Sequence, residues 1–111
     1  MVRELARELH ARGSRGVVIT GGHLPEANDF LSIRESGRTT EEVFYGSRIE
    51  SLATHGTGCA FATAVTCGLA LGRDLPTAVR EAKEFVRRAM LAAYPVGKGM
   101  GPMNHLFRLP E

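Results

Sequence analysis

The run His55-Gly56-Thr57-Gly58-Cys59 sets a glycine-rich turn directly before the small apolar stretch Ala60-Phe61-Ala62-Thr63-Ala64-Val65, which reads as a helix. A turn of this kind gathers backbone N–H groups without intrahelical acceptors, and the positive end of the helix dipole, around one concavity suited to an anion. Cys59 falls in the first turn of that helix, where the same field favours the thiolate over the thiol. The pattern places a base or nucleophile beside a cradle for an oxyanion or phosphate. The same residues also fit a purely structural reading, in which Gly56 and Gly58 permit a tight strand-to-helix turn and Cys59 fills the core as a small hydrophobe.

The elements that must hold this turn follow from periodicity and punctuation. Leu5 and Leu9, with Ala6 and Glu8 between them, give an amphipathic helix closed by Gly13 and Gly16. Val17-Val18-Ile19-Thr20 is a continuous β-branched run, the pattern of a strand buried on both faces, and Gly21-Gly22-His23-Leu24-Pro25 stops it with turn formers. Residues 28 to 34 and 42 to 49 read as two short strands or a hairpin, separated by Ser36-Gly37-Arg38. The second helix starts at Thr57 to Cys59 and runs to Leu71, with Gly72 just past its end. Asp74 reads as the N-cap and Pro76 as a first-turn residue of a long helix through Ala93. That helix has a core face of Ala78, Val79, Ala82, Phe85, Val86, Ala89 and Met90. The glycine-rich stretch from Val96 to Pro102 is a loop, after which Asn104-His105-Leu106-Phe107 either docks back on the body or forms a simple tether.

Composition narrows the class. The 111 residues make one domain or part of one, and 43% apolar with 23% charged residues is an ordinary globular balance. A net charge of +2, 6% aromatic residues and no Trp give no basic surface or stacking platform for nucleic acid. No apolar run approaches the length of a membrane span and Met1-Val2-Arg3-Glu4 lacks a signal-peptide core, so the expected compartment is the cytoplasm. Cys59 and Cys67, eight residues apart on one helix, lie about 12 Å apart at 1.5 Å rise per residue, too far for a disulfide. With the four His they make no zinc pattern.

Three ordered motifs combine: Thr20-Gly21-Gly22-His23 at a strand end, Ser47-Arg48-Ile49 leading into Thr54-His55-Gly56-Thr57-Gly58-Cys59, and Gly99-Met100-Gly101-Pro102-Met103-Asn104-His105. Together they resemble the hydroxymethylpyrimidine/phosphomethylpyrimidine kinases of thiamine biosynthesis, over nearly the whole chain. The resemblance implies a ribokinase-like three-layer α/β/α fold, of which residues 1–111 form the C-terminal part. It also implies phosphoryl transfer from ATP, with Mg2+, to the hydroxymethyl group of 4-amino-5-hydroxymethyl-2-methylpyrimidine and then to its monophosphate. Gly56, Thr57 and Gly58 take the family's anion-hole positions, and Cys59 takes the catalytic-base position. Thr20, Gly21 and Gly22 take the nucleotide-binding strand end. A homo-oligomeric intact enzyme is implied as well.

The chain departs from the family at two points. Thr20 stands where these kinases commonly carry Lys before Gly-Gly-His, replacing a cation with a hydroxyl that orients but does not neutralise phosphate. Family members are also well over twice this length, and the N-terminal region that supplies most of the pyrimidine pocket has no counterpart among these residues. A pyridoxal kinase and a non-catalytic nucleotide-binding remnant are the alternatives. His23 and His55 are expected to serve as turn or core hydrogen-bonding residues, Cys67 as buried packing, and Lys98 either as a phosphate contact or as an exposed lysine without a role.

Overall fold

The computed structural model describes residues 1–21, 27–46, 56–99 and 101–109, which fall into two compact units, Met1–Arg48 and Ile49–Glu111. The first unit holds helix α1 (Val2–Ala11) and strands β1 (Gly16–Ile19), β2 (Asp29–Glu35) and β3 (Arg38–Phe44). The second holds helices α2 (Thr57–Ala70) and α3 (Leu75–Leu91).

In the first unit the three strands form an antiparallel sheet in the order β1-β2-β3. Ile19 lies opposite Phe30, and Asp29 opposite Phe44. The hairpin expected from Ser36-Gly37-Arg38 is present but tighter than the spacing suggested. Ser36 and Gly37 alone make the turn, at φ of 52° and 77°, and Arg38 already pairs with Glu35. Two consecutive positive-φ residues give the turn whose twist matches that of the flanking strands, which is why β3 begins four residues before residue 42.

β1 is less enclosed than its β-branched run implies, because Val17 is buried while Val18 and Ile19 are half-buried. It joins an antiparallel sheet, and α1 covers one face of it. Ala6 of α1 packs with Val17 and Phe30. The helix face turned inward is that of Ala6 and His10, with Leu5 and Leu9 left 48% and 37% exposed. His10 tolerates burial because both ring nitrogens are satisfied: Nδ1 donates to the Ser14 carbonyl at 2.7 Å, and Nε2 meets Ser32 Oγ at 2.9 Å. The buried Ser32 in turn finds its partner in that ring.

In the second unit α2 and α3 pack closely. A Cβ built at Gly68 would lie 3.0 Å from that of Ala78, so the glycine brings the two backbones together. Gly72, at φ +90°, closes α2 as expected. Its N–H donates to the Leu69 carbonyl and that of Arg73 to the Gly68 carbonyl, which satisfies two of the terminal acceptors of the helix. Asp74 caps α3 as expected, accepting from the Thr77 N–H at 2.9 Å. Ala78, Val79, Ala82 and Ala89 are the buried face of α3. The C-terminal segment docks rather than trailing. The Asn104 N–H donates to the Ala89 carbonyl at 2.9 Å, Phe107 meets Phe85 at 5.3 Å between ring centroids, and Met103 is buried.

Candidate active site

Gly56 occupies the N-cap of α2 in the left-handed region, at φ 80° and ψ 9°, and its carbonyl accepts from the Ala60 N–H at 3.0 Å to open the helix. A side chain is strained at that φ, so the turn requires glycine at position 56. Thr57, Gly58 and Cys59 are the first three helical residues. Among the described residues no side chain caps this end. Helix geometry provides no intrahelical acceptor for the N–H groups of Gly58 and Cys59, and the positive end of the helix dipole lies at the same place. Gly58 differs from the expected backbone role in one respect, because it is not among the positive-φ glycines and a Cβ there would meet nothing within 4 Å among the described residues. Its backbone does not call for glycine.

Cys59 is exposed among these residues. Cys67, expected as buried packing, is exposed too. The two thiols are free and lie two helical turns apart on one face of α2. That face borders a groove of about 610 Å³, lined by Gly56, Cys59, Thr63 and Cys67 of α2, Phe85 of α3, and His105 and Arg108 of the docked tail. Thr63 Oγ1 donates to the Cys59 carbonyl at 2.8 Å and so points back along the helix. Two cations border the groove. Arg73 is paired with Glu81 at 2.8 Å, and Arg108 lies 5.5 Å from the ring centres of both Phe85 and Phe107. Sequence reasoning missed Arg108, whose place depends on a tail–helix contact that no local motif announces.

The second candidate segment ends β1. Thr20 is exposed and Gly21 buried, while Gly22, His23 and His55 lie outside the described residues. Lys98 is exposed in the Gly97-Lys98-Gly99 loop. Among the described residues no group of three or more His, Cys, Asp or Glu could hold a metal ion, the first turn of α2 carries no acidic residue, and no helix is long and apolar enough to cross a membrane.

The sequence profile of the phosphomethylpyrimidine kinase family matches residues 1–104. The chain belongs to the phosphomethylpyrimidine kinase family. A hydroxymethylpyrimidine/phosphomethylpyrimidine kinase from Streptomyces coelicolor is 43% identical over 110 residues, covering 99% of this chain and 40% of the relative. The ADP complex of Bacillus subtilis pyridoxal kinase matches at a TM-score of 0.82 and 39% identity, over 96% of this chain and 40% of that one. Staphylococcus aureus pyridoxal kinase in complex with AMP-PCP and pyridoxal matches at a TM-score of 0.81 and 28% identity, over 94% of this chain and 38% of that one. The fold is of the ribokinase-like α/β class, and the chain spans about 40% of the length of the Streptomyces and Bacillus relatives.

Proposed function

We propose that this chain is the C-terminal part of a kinase that transfers the γ-phosphoryl group of ATP to the hydroxymethyl group of 4-amino-5-hydroxymethyl-2-methylpyrimidine, and then to its monophosphate. The observation that carries the proposal is the start of α2, a helix end opened by a left-handed Gly56, with an exposed Cys59 on the wall of a groove. Membership of the phosphomethylpyrimidine kinase family supports the reaction class. In the proposed reaction the alcohol oxygen attacks the γ-phosphorus, the bond to the β–γ bridging oxygen breaks, and the alcohol proton passes to the Cys59 thiolate. ADP leaves with the electron pair of the broken bond. Gly56, Thr57 and Gly58 direct N–H groups and the helix dipole at the charge on the transferred group. Thr20 and Gly21 meet the nucleotide at the end of β1. Mg2+ shields phosphate charge when it accompanies the nucleotide, and no residue of this chain is assigned to it.

A coupled ADP-release assay with the pyrimidine alcohol, its monophosphate and pyridoxal tests the reading. It is run on the 111-residue chain alone and on the complemented enzyme, in which the chain is joined to the remaining portion of the Streptomyces relative. The expected result is turnover of the pyrimidine alcohol by the complemented enzyme only, because in-line positioning of the acceptor is worth several kcal/mol of the barrier. Turnover by the chain alone overturns the reading of it as a part. Preference for pyridoxal overturns the substrate. Nucleotide binding without turnover in either form leaves the non-catalytic remnant.

A further inference from the structure

Asp29, the first residue of β2, is 7% exposed. Its Oδ1 accepts a hydrogen bond at 3.0 Å from the backbone N–H of Gly21, two residues past the end of β1. The adjacent Asn28 does the same for the other neighbour of β2, with Oδ1 accepting from the Gly46 N–H at 3.3 Å, two residues past the end of β3. The ladder between β1 and β2 ends at Ile19 and Phe30, and that between β2 and β3 at Asp29 and Phe44. Past those pairs both departing chains are gripped by side chains in place of strand hydrogen bonds. The fit at Gly21 is close. A Cβ there would stand 2.9 Å from the Asn28 carbonyl carbon and nearer still to its oxygen, so the residue before the grip and the glycine it holds are in main-chain contact. A carboxylate this deeply desolvated is retained where hydrogen-bond donors compensate it, and a backbone amide aimed at it is such a donor.

We propose that Asp29 is a positioning residue for the nucleotide, fixing the path of Thr20-Gly21 through the Gly21 amide without touching the ligand. The inference rests on the reading of Thr20-Gly21 as a nucleotide-facing strand end. In the complemented enzyme Asp29→Ala raises KM for ATP by about 10-fold and changes kcat by less than about 3-fold, the signature of a misplaced binding segment. Asp29→Asn, which keeps an Oδ1 acceptor, returns KM to within about 3-fold of the parent. In the 111-residue chain, Asp29→Ala speeds hydrogen exchange at the Gly21 amide by about 10-fold or more while the amides of Leu31 and Ile33 keep their protection, as local opening requires. Asp29→Ser carries the same comparison where the alanine variant does not fold. An unchanged KM, equal losses in KM and kcat, no rescue by asparagine, or unchanged exchange at Gly21 overturns the proposal. A parent enzyme without turnover overturns the kinase reading instead, and the exchange comparison still decides whether Asp29 holds the strand end.

Discussion

Substituting Gly58 by alanine separates what α2 needs in order to fold from what a bound phosphate needs. Gly58 is the second residue of the helix, is not at positive φ, and has no described residue where a Cβ would stand. Replacing a helical glycine by alanine removes backbone entropy from the unfolded chain and is worth up to about 1 kcal/mol, less in a first turn than in a helix interior. For a unit of this size that is a rise in Tm of up to about 4–8 °C. Function should move the other way. The Cα–Cβ bond of a helical residue tilts toward the N-terminus, so the new methyl leans into the space in front of the Gly58 and Cys59 N–H groups. A phosphate oxygen kept out of hydrogen-bond reach forfeits donors worth about 10²–10³ in rate at comparable sites. The expected outcome is a thermal melt at or above the parent value, together with a fall in kcat/KM of about 10² or more in the coupled ADP-release assay. Gly56→Ala is the contrasting control. At φ 80° it places a side chain in the left-handed region, which costs about 1–2 kcal/mol, so stability and activity fall together. Gly58→Ala with parental kcat/KM refutes the phosphate reading of this turn, and a lowered Tm refutes the claim that glycine is dispensable there for folding.

Two further outcomes follow from the same helices. Cys59→Ala in the complemented enzyme should lower kcat by about 10² while the dissociation constant for ATP, read by calorimetry, stays near the parent value; unchanged turnover removes Cys59 from the base role. Asp74 caps α3, and its hydrogen bonds from Thr77, followed by the charge of Arg80, hold its carboxyl below the ordinary value of 3.8. The cap therefore stabilises fully above the ordinary carboxylate range, and its contribution is lost as pH falls through the lowered value. Thermal melts of Asp74→Ala should lie below those of the parent at neutral pH and converge with them in strong acid, and a gap that does not narrow with pH contradicts the assignment.

The features legible in the sequence were those set by neighbours along the chain. Gly72 past α2, Asp74 with Pro76 before α3, and the Gly56–Cys59 turn are local signals, and each stands where its residues place it. The hairpin was legible as a hairpin, but its strand bounds depended on Ser36 accepting a positive φ, which serine does seldom enough that Arg38 was counted with the turn. Periodicity announces an amphipathic α1 but contains nothing to show that Ser32, 22 residues away, supplies the partner that makes His10 buriable. Cys67 misled for a related reason. A small residue on an apolar helix reads as packing, whereas the structure sets it on the open wall of the groove beside Cys59.

Sorting two glycines by what their positions demand sharpens the case for the site. Gly21 is explained by contact alone, because any side chain would enter the main chain of Asn28, so its identity carries no independent testimony about a ligand. Gly58 is not explained by contact, by φ or by helix propensity, which favours almost any other residue there. A glycine that no contact among the described residues calls for, set in the first turn beside an exposed cysteine, is the position at which we propose the close approach of a phosphate. Asp29 and Gly21 thus describe how a strand end is held, while Gly58 and Cys59 mark where the chemistry is proposed to happen.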